Sequence, residues 1–113
     1  MKIHAKLWLE TDNGKLLMGE GRLEIFRAIE RTGSLSAAAR ELGMSYRAVW
    51  GKVRSVEERL GIKLIDTASG GHKRGGTQLT AEGKRFIERF EAFDIEARKA
   101  VDELARDLLD ILA

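Results

Sequence analysis

With 113 residues, of which 43% are hydrophobic and 34% charged, the chain suits one soluble domain with at most one appended element. It has no apolar run long enough for a transmembrane helix and no apolar stretch behind its charged N-terminus for a signal peptide, so we expect a cytoplasmic protein without a membrane partner. The absence of cysteine excludes disulfides, thiolate zinc sites and cysteine nucleophiles. Residues 33–85 carry ten Lys/Arg against five acidic residues, whereas residues 86–113 carry four against eight. This division predicts one surface for an anionic partner and another held away from it.

The first predicted element is a half-buried strand over residues 3–11, because apolar side chains at positions 3, 5, 7 and 9 alternate with the others. Asn13 and Gly14 suit a type I′ turn, whose two central residues need positive φ, and residues 16–18 would form the return strand. Trp8 falls on the outward face of the first strand, where we expect it to pack on a partner subunit.

Three helices are predicted next. The first begins after Gly21 and ends at about Thr32, followed by a glycine that can take the left-handed conformation. Residues 34–36 offer N-cap oxygens for a second, short helix from Ser36 to Leu42. Ser45 caps a third helix that runs to Leu60 and buries a stripe of valines. Two helices joined by a short turn that contains glycine form a helix-turn-helix.

The exposed N-terminal part of the third helix is the predicted DNA-binding surface, because this part of a helix-turn-helix enters the major groove. Arg47 and Lys52 can donate to guanine edges or phosphates, the helix N-terminus at Ser45 can bind a phosphate, and small Ala48 and Gly51 allow close approach. An ordinary helical hairpin with a charged face is the alternative. The predicted DNA-binding residues of this unit are Ser34, Ser36, Ser45, Tyr46, Arg47, Ala48, Gly51, Lys52, Arg54 and Ser55.

A second predicted DNA-binding element follows. Residues 62–67 alternate as a strand, residues 68–76 form a glycine-rich basic loop, and residues 77–79 form a short return strand. A glycine-rich hairpin tip can follow a phosphate backbone closely, so His72, Lys73 and Arg74 are predicted DNA contacts. A nucleotide-binding loop is excluded because neither GxxxxGK[ST] nor a GxGxxG between strand and helix is present. A solvated loop without a partner is the alternative.

The last predicted element is a helix from the N-cap Thr80 to about Leu112, roughly 48 Å long at 1.5 Å per residue. Its apolar residues are spaced nearly as heptads, which indicates a seam for a partner helix. The first half of the seam can cover the domain's own core, but the part from Ala97 onward extends too far for that, so we expect a homodimer. The predicted dimer-interface residues are Trp8, Phe90, Phe93, Ala97, Val101, Leu104, Leu108 and Ile111.

The remaining candidate residues indicate no catalytic chemistry. His4 and His72 are far apart in sequence and lack a cysteine or acidic partner motif, and no Ser-His-Asp set or inward carboxylate pair can be argued. We therefore expect no enzyme, no metal and no cofactor. Trp50 follows Val49 on the third helix, and we expect it to pack within the protein rather than to contact DNA.

Two stretches support a family resemblance: RLEIFRAIERTGSLSAAARELGMSYRAVW at residues 22–50 and TASGGHKRGGTQLTAEGKRFI at residues 67–87. With the N-terminal strand and the last helix, they make residues 3–95 resemble the N-terminal DNA-binding domain of ModE-type molybdate-responsive regulators. The central motif is also similar to the LysR-type helix-turn-helix. These resemblances imply a winged helix-turn-helix homodimer that binds a palindromic operator.

ModE-type regulators carry oxyanion-binding domains after the long helix, and this sequence stops at Ala113 before any such domain. We therefore do not expect a molybdate response from this chain alone.

The sequence thus predicts a mainly α fold with short antiparallel β hairpins. Residues 1–80 would form a winged helix-turn-helix domain, and residues 81–113 a long C-terminal dimerisation helix. The predicted function is that of a sequence-specific transcriptional regulator whose partners are double-stranded DNA and a second copy of itself. The alternative is an architectural or protein-interaction module of the same fold without operator specificity. The small, polar, basic face of the third helix favours the first.

Overall fold

The structure, a computed structural model, describes residues 1–67 and 76–112. Within these ranges the chain forms helices joined by short antiparallel hairpins, which confirms the predicted fold class. The elements, in chain order, are β1 (Leu9–Glu10), β2 (Leu16–Met18), α1 (Glu20–Thr32), α2 (Leu35–Leu42), α3 (Tyr46–Leu60), β3 (Ile65–Thr67), β4 (Thr77–Leu79) and α4 (Ala81–Leu112).

The hydrophobic core lies where α1, α2 and α3 pack together. Phe26 and Ile29 of α1 are fully buried against the small residues Ala38 and Ala39 of α2. The valine stripe of α3, at positions 49, 53 and 56, is fully buried on the same core. Because alanines form the inner face of α2, the helices can approach closely, as close-packed protein interiors require. The three helices therefore form one rigid support for the outer face of α3.

A second set of contacts ties β3 and β4 to the helices. The Glu57 carboxylate at the end of α3 is buried and accepts hydrogen bonds from the N–H groups of Leu64 at 2.8 Å and Ile65 at 3.2 Å. The Thr77 N–H donates to the carbonyl of Gly33 at 2.8 Å, which joins β4 to the turn between α1 and α2. A buried carboxylate is stable only when it is well hydrogen-bonded, so Glu57 fixes where β3 begins.

The predicted long N-terminal strand is wrong. Only Leu9–Glu10 form β1, which pairs with β2 across a register shift. In an antiparallel pair with Leu9 opposite Met18, residues 3–8 would need partners from residue 19 onward, and those residues already belong to α1. Residues 3–8 therefore have no partner strand and do not extend β1. The Ala5 carbonyl instead accepts a hydrogen bond from the side chain of Arg98 on α4 at 3.0 Å.

The turn between β1 and β2 also differs from the prediction. Gly14 has a φ of +84°, but Asn13 does not have positive φ, so the turn is not type I′. The hairpin loop is longer than two residues, and such loops need only one left-handed residue. Thr11 closes it, since its carbonyl accepts the Gly14 N–H at 2.9 Å and its N–H donates to Lys15 at 2.7 Å.

Later boundaries agree more closely with the prediction. β3 is shorter than the predicted strand over residues 62–67, because its ladder with β4 includes only residues 65–67. Thr80 caps α4 as expected: its Oγ1 accepts the Gly83 N–H at 2.9 Å and donates to the Lys63 carbonyl at 2.7 Å. Among the described residues, no helix combines the length and the apolar character needed to cross a bilayer.

The close approach of α4 to the backbone of Leu64, just before β3, leads to a stability prediction. An ideal Cβ at Gly83 would lie 2.2 Å from the carbonyl oxygen of Leu64, so Gly83→Ala must push two backbone segments apart. We expect this substitution to lower the free energy of unfolding by about 1–3 kcal/mol, the usual cost of overpacking.

Urea unfolding followed by circular dichroism measures the effect. Gly51→Ala is the matched control, because no heavy atom lies within 4 Å of a Cβ at Gly51. At this position the better helix propensity of alanine should raise the free energy of unfolding by up to about 1 kcal/mol. Equal unfolding midpoints for Gly83→Ala and the wild type would contradict the close approach.

Candidate nucleic-acid interface

The two helices of the helix-turn-helix begin at serine caps. The Ser34 side chain accepts the Ala37 N–H at 3.1 Å, and the Ser45 side chain accepts the Ala48 N–H at 3.1 Å. Each cap satisfies a donor that the first turn of a helix otherwise leaves free. The predicted cap at Ser45 is confirmed, and Ser34 rather than Ser36 caps α2.

A left-handed glycine makes the turn between α2 and α3. Gly43 has a φ of +67°, which a residue with a Cβ adopts only at a cost, and its N–H donates to the Arg40 carbonyl at 3.2 Å. The Met44 N–H then donates to Ala39 at 2.9 Å. These bonds end α2 sharply, and α3 begins after a turn of three residues. Residues 43–45 therefore set the angle at which α3 leaves the core.

The outer face of α3 is open to solvent. While the valine stripe is buried, Tyr46, Arg47, Gly51, Lys52 and Arg54 are all exposed, as is the cap Ser45. Ala48 is partly buried at the edge of this face. The structure thus brings most of the predicted DNA-binding side chains together on one convex surface, which we call the α3 outer face.

Three of the four predicted serines have their hydroxyl groups engaged within the protein, one of them being Ser45, the N-cap of α3. Ser34 is partly buried and serves as the N-cap of α2. Ser55 is partly buried, and its hydroxyl donates to the carbonyl of Lys52 at 2.9 Å. Ser36, in contrast, lies exposed in the first turn of α2. A phosphate contact from α2 would therefore come from Ser36 more readily than from Ser34.

Trp50 does not pack as the sequence led us to expect, because 45% of its side chain is exposed. The guanidinium carbon of Arg54 lies 5.4 Å from the centre of the indole ring, within the range of a cation–π contact. Position 50 lies about 100° around the helix from Val49, which turns it off the buried stripe. The signal that the sequence prediction did not use is its spacing of four residues from both Tyr46 and Arg54, which places all three on one ridge of the helix.

Two acidic side chains of the helix-turn-helix, one on α2 and one on α3, form ion pairs. Glu41, the acidic residue of α2, forms an ion pair with Arg31 of α1, and the hydrogen bond from that guanidinium raises the pKa of Arg31. Glu58 lies 3.6 Å from Arg54. Pairing reduces the repulsion that free carboxylates would exert on a polyanion. Within the described ranges the acidic and histidine side chains form no group of three that could hold a metal ion.

The predicted contacts His72, Lys73 and Arg74 lie outside the described residues. The structure does describe the strands on either side of them: Thr67 of β3 is paired with Thr77 of β4, and Thr77 is bonded to Gly33 at the start of the helix-turn-helix. The described strand β4, which follows this segment in the sequence, is therefore joined to the helix-turn-helix.

The seam of α4 divides into a buried and an exposed part. Phe90 is buried in the core of its own chain, which leaves it little surface for a partner, and Ala97 and Val101 are partly buried. Beyond them Leu104 and Ile111 are each 80% exposed, and Phe93 and Leu108 are also exposed. Residues at these spacings share one side of a helix. We call the four exposed residues Phe93, Leu104, Leu108 and Ile111 the α4 stripe.

A groove of about 450 Å³ continues the α4 stripe toward the N-terminus. It lies between residues 7–9 and the aromatic side chains of α4 at positions 86, 90 and 93. Trp8 lines this groove, remains more than half exposed, and donates its indole N–H to Glu10 at 3.0 Å. The predicted interface residue Trp8 and the α4 stripe thus border one apolar surface.

The capped α2–turn–α3 unit and the β3–β4 hairpin beside it define the class of winged helix-turn-helix domains. A family model described as bacterial regulatory helix-turn-helix protein, lysR family, matches residues 21–84. The chain belongs to this family.

Two relatives are similar to this chain over most of its length. The chain is 35% identical over 107 residues to the molybdenum transport protein ModE of Azotobacter vinelandii, covering 95% of this chain and 39% of that protein. It is 30% identical over 93 residues to the DNA-binding transcriptional dual regulator ModE of Escherichia coli K12, covering 82% of this chain and 36% of the relative. The resemblance to ModE-type and LysR-type regulators is confirmed. The chain spans less than two-fifths of the length of these relatives, and neither is named as an enzyme.

Solved structures share the fold. The DNA-binding domain of CbnR in complex with DNA superposes with a TM-score of 0.59 at 27% identity, covering 76% of this chain and 93% of that one. The DNA-binding domain of BenM in complex with benA site 1 DNA gives a TM-score of 0.59 at 24% identity, covering 79% of this chain and 98% of that one.

Proposed function

We propose that this chain is a sequence-specific transcriptional regulator that binds double-stranded DNA as a homodimer and recognises a palindromic operator. The observation that carries the proposal is the open α3 outer face, which holds basic and small residues on a firmly packed helix. Since such a function is exercised on the chromosome, the proposal includes a cytoplasmic location and no catalytic activity.

The α3 outer face has the chemistry for the major groove. The exposed guanidinium of Arg47 can donate two hydrogen bonds to the O6 and N7 atoms of guanine, and Lys52 can neutralise a phosphate. Gly51 has no neighbour within 4 Å of the place a Cβ would occupy, so the helix backbone can approach the bases there. The free N–H groups at the start of α3, beside Ser45, add a partial positive charge for a phosphate.

The basic segment between β3 and β4 would hold the flanking backbone. Lys73 and Arg74, with His72, supply donors that need no particular base, since phosphate contacts position a protein without determining sequence. Two observations support these phosphate contacts: the basic sequence itself, and the hydrogen bond from Thr77 that holds β4 beside the helix-turn-helix.

The homodimer is proposed from the α4 stripe. Each exposed Leu or Ile side chain that becomes buried contributes about 1.5–3 kcal/mol, so leaving the stripe in water is unfavourable. Phe93 belongs both to the stripe and to the groove beside Trp8, so the exposed apolar side chains are grouped on one side of α4, whereas those on a monomer surface are normally scattered singly. Because residues 86–113 are acidic, this interface would lie away from DNA.

The experiment that tests the function is selection of bound fragments from the source genome. We expect enrichment of a palindrome whose half-sites are about 34–36 Å apart, one turn of B-form DNA, because twofold symmetry of the protein is mirrored in its operator. A uniform set of bound fragments would contradict the proposal and support an architectural protein that coats DNA without operator specificity.

Different residues should determine the specificity for the operator and the general affinity for DNA. We expect Arg47→Ala to cost about 1–3 kcal/mol on the operator and little on random duplex, because it removes a base contact. Lys73→Ala should weaken both duplexes alike and reduce the salt slope by about 1, because it removes a phosphate contact.

Fluorescence anisotropy on both duplexes over a range of salt concentrations measures these effects. Arg106→Ala, which removes an exposed arginine from the far part of α4, is the control. An equal loss on operator and random DNA for Arg47→Ala would contradict its role in base recognition.

Dimerisation should depend on the α4 stripe. We expect Leu104→Glu to shift the chain toward monomer, because it places a charge in the middle of an apolar interface. Sedimentation velocity over a range of concentrations measures the monomer–dimer equilibrium.

Arg106→Glu is the matched control, since a position two residues further along the helix lies on the opposite side. A wild-type chain that sediments as a monomer at all concentrations, or a Leu104→Glu variant that remains dimeric, would contradict the proposed interface.

A further inference from the structure

We propose that Trp50 contacts the C5-methyl group of a thymine in the operator. This inference rests on the proposed DNA-binding function and adds a residue that determines specificity, one that the sequence pattern had assigned to packing. Trp50 lies between Tyr46 and Arg54 on one ridge of α3, and with the exposed ring of Tyr46 its indole forms an aromatic part of an otherwise basic surface. Of these two rings, the indole is the one without a hydroxyl group.

The ring is held in place before any ligand binds. Arg54 covers the indole at 5.4 Å and also lies 3.9 Å from the carboxylate of Glu57. Glu57 in turn is fixed by the backbone N–H groups at the start of β3. A side chain that is already ordered loses little conformational entropy on binding, which makes a contact through it more favourable.

The surroundings of the ring indicate what it binds. Arg47, Lys52 and Arg54 are exposed on the same helix, so a polyanion suits this surface better than an apolar protein partner does. Beside Trp50, the open space at Gly51 lets the backbone come close to the bases, which brings the ring to the depth of the base edges. In the major groove the apolar group at that depth is the thymine methyl.

A thymine-to-uracil exchange removes this methyl group and nothing else. Using the operator obtained by selection, each thymine is replaced in turn, and the affinities of the wild-type chain and of Trp50→Ala are compared. At one thymine in each half-site we expect uracil to weaken wild-type binding about five- to tenfold, the lower part of the range for a good base contact. On the thymine operator, the affinity of Trp50→Ala should be lower than that of the wild type by a similar factor. The variant should bind the thymine operator and the uracil operator equally.

Ile95→Ala is the matched control, because it removes another half-exposed apolar side chain, on α4. It should keep the wild-type sensitivity to uracil. If Trp50→Ala fails to fold, the Trp8→Phe chain provides a second measurement, since Trp50 is then its single tryptophan. Because Trp8 borders the proposed dimer surface, this variant is used after sedimentation velocity and anisotropy have shown wild-type dimerisation and operator affinity. Its emission should shift to the blue on operator DNA but not on random duplex.

The possible failures can be told apart. A wild-type chain with no preferred duplex would contradict the proposed function itself. A wild-type chain with a preferred operator but no sensitivity to uracil, a Trp50→Ala variant that keeps the sensitivity, or an unchanged Trp50 emission on the operator would overturn this inference alone.

Discussion

The packing of α3 onto α1 and α2 determines what the outside of the molecule can do. Val49, Val53 and Val56 are fully buried, and a helix rotates by about 100° per residue, so burying this stripe forces Arg47 and Gly51 to the opposite side. A shift of α3 by one residue would place Lys52 or Arg54 in the buried position of Val53, and burying such a charge without a partner is energetically prohibitive. The same contacts that stabilise the core therefore hold the α3 outer face in a fixed orientation, as a surface that recognises base edges must be.

The buried carboxylate of Glu57 connects this packed helical core to the second half of the domain. It joins the end of α3 to the start of β3, and Thr80 joins the same stretch of chain to the start of α4. Because α4 passes the backbone of Leu64 at Gly83 without room for a methyl group, the long helix leaves the domain in one direction. The proposed DNA-binding surface and the proposed dimer surface are thus connected through short hydrogen-bonded links, and in the proposed dimer the direction of α4 would set the spacing of the two α3 helices.

The local features of the sequence predicted the helices well, because their ends depend on nearby residues. Ser45 and Thr80 as caps and Gly43 as a left-handed stop act within one turn of their own position. Features that depend on distant parts of the chain were harder to predict. Residues 3–8 alternate like a strand but have no partner to pair with, and the fate of Trp50 and of Glu57 depended on which elements pack beside the edges of α3. Periodicity locates a buried stripe but does not determine its borders.

The central claim is that a dimer presents two α3 outer faces at the spacing of one DNA turn. The chain has no cysteine, so a spin label attached at Lys52→Cys is the single label in each protomer, and its position on α3 is exposed. Double electron–electron resonance on the free dimer measures the distance between the two labels. We predict a distribution centred at about 34–36 Å, widened by the linkers of the labels. A distance below about 20 Å, or the absence of any defined distance between protomers, would contradict recognition of successive major grooves.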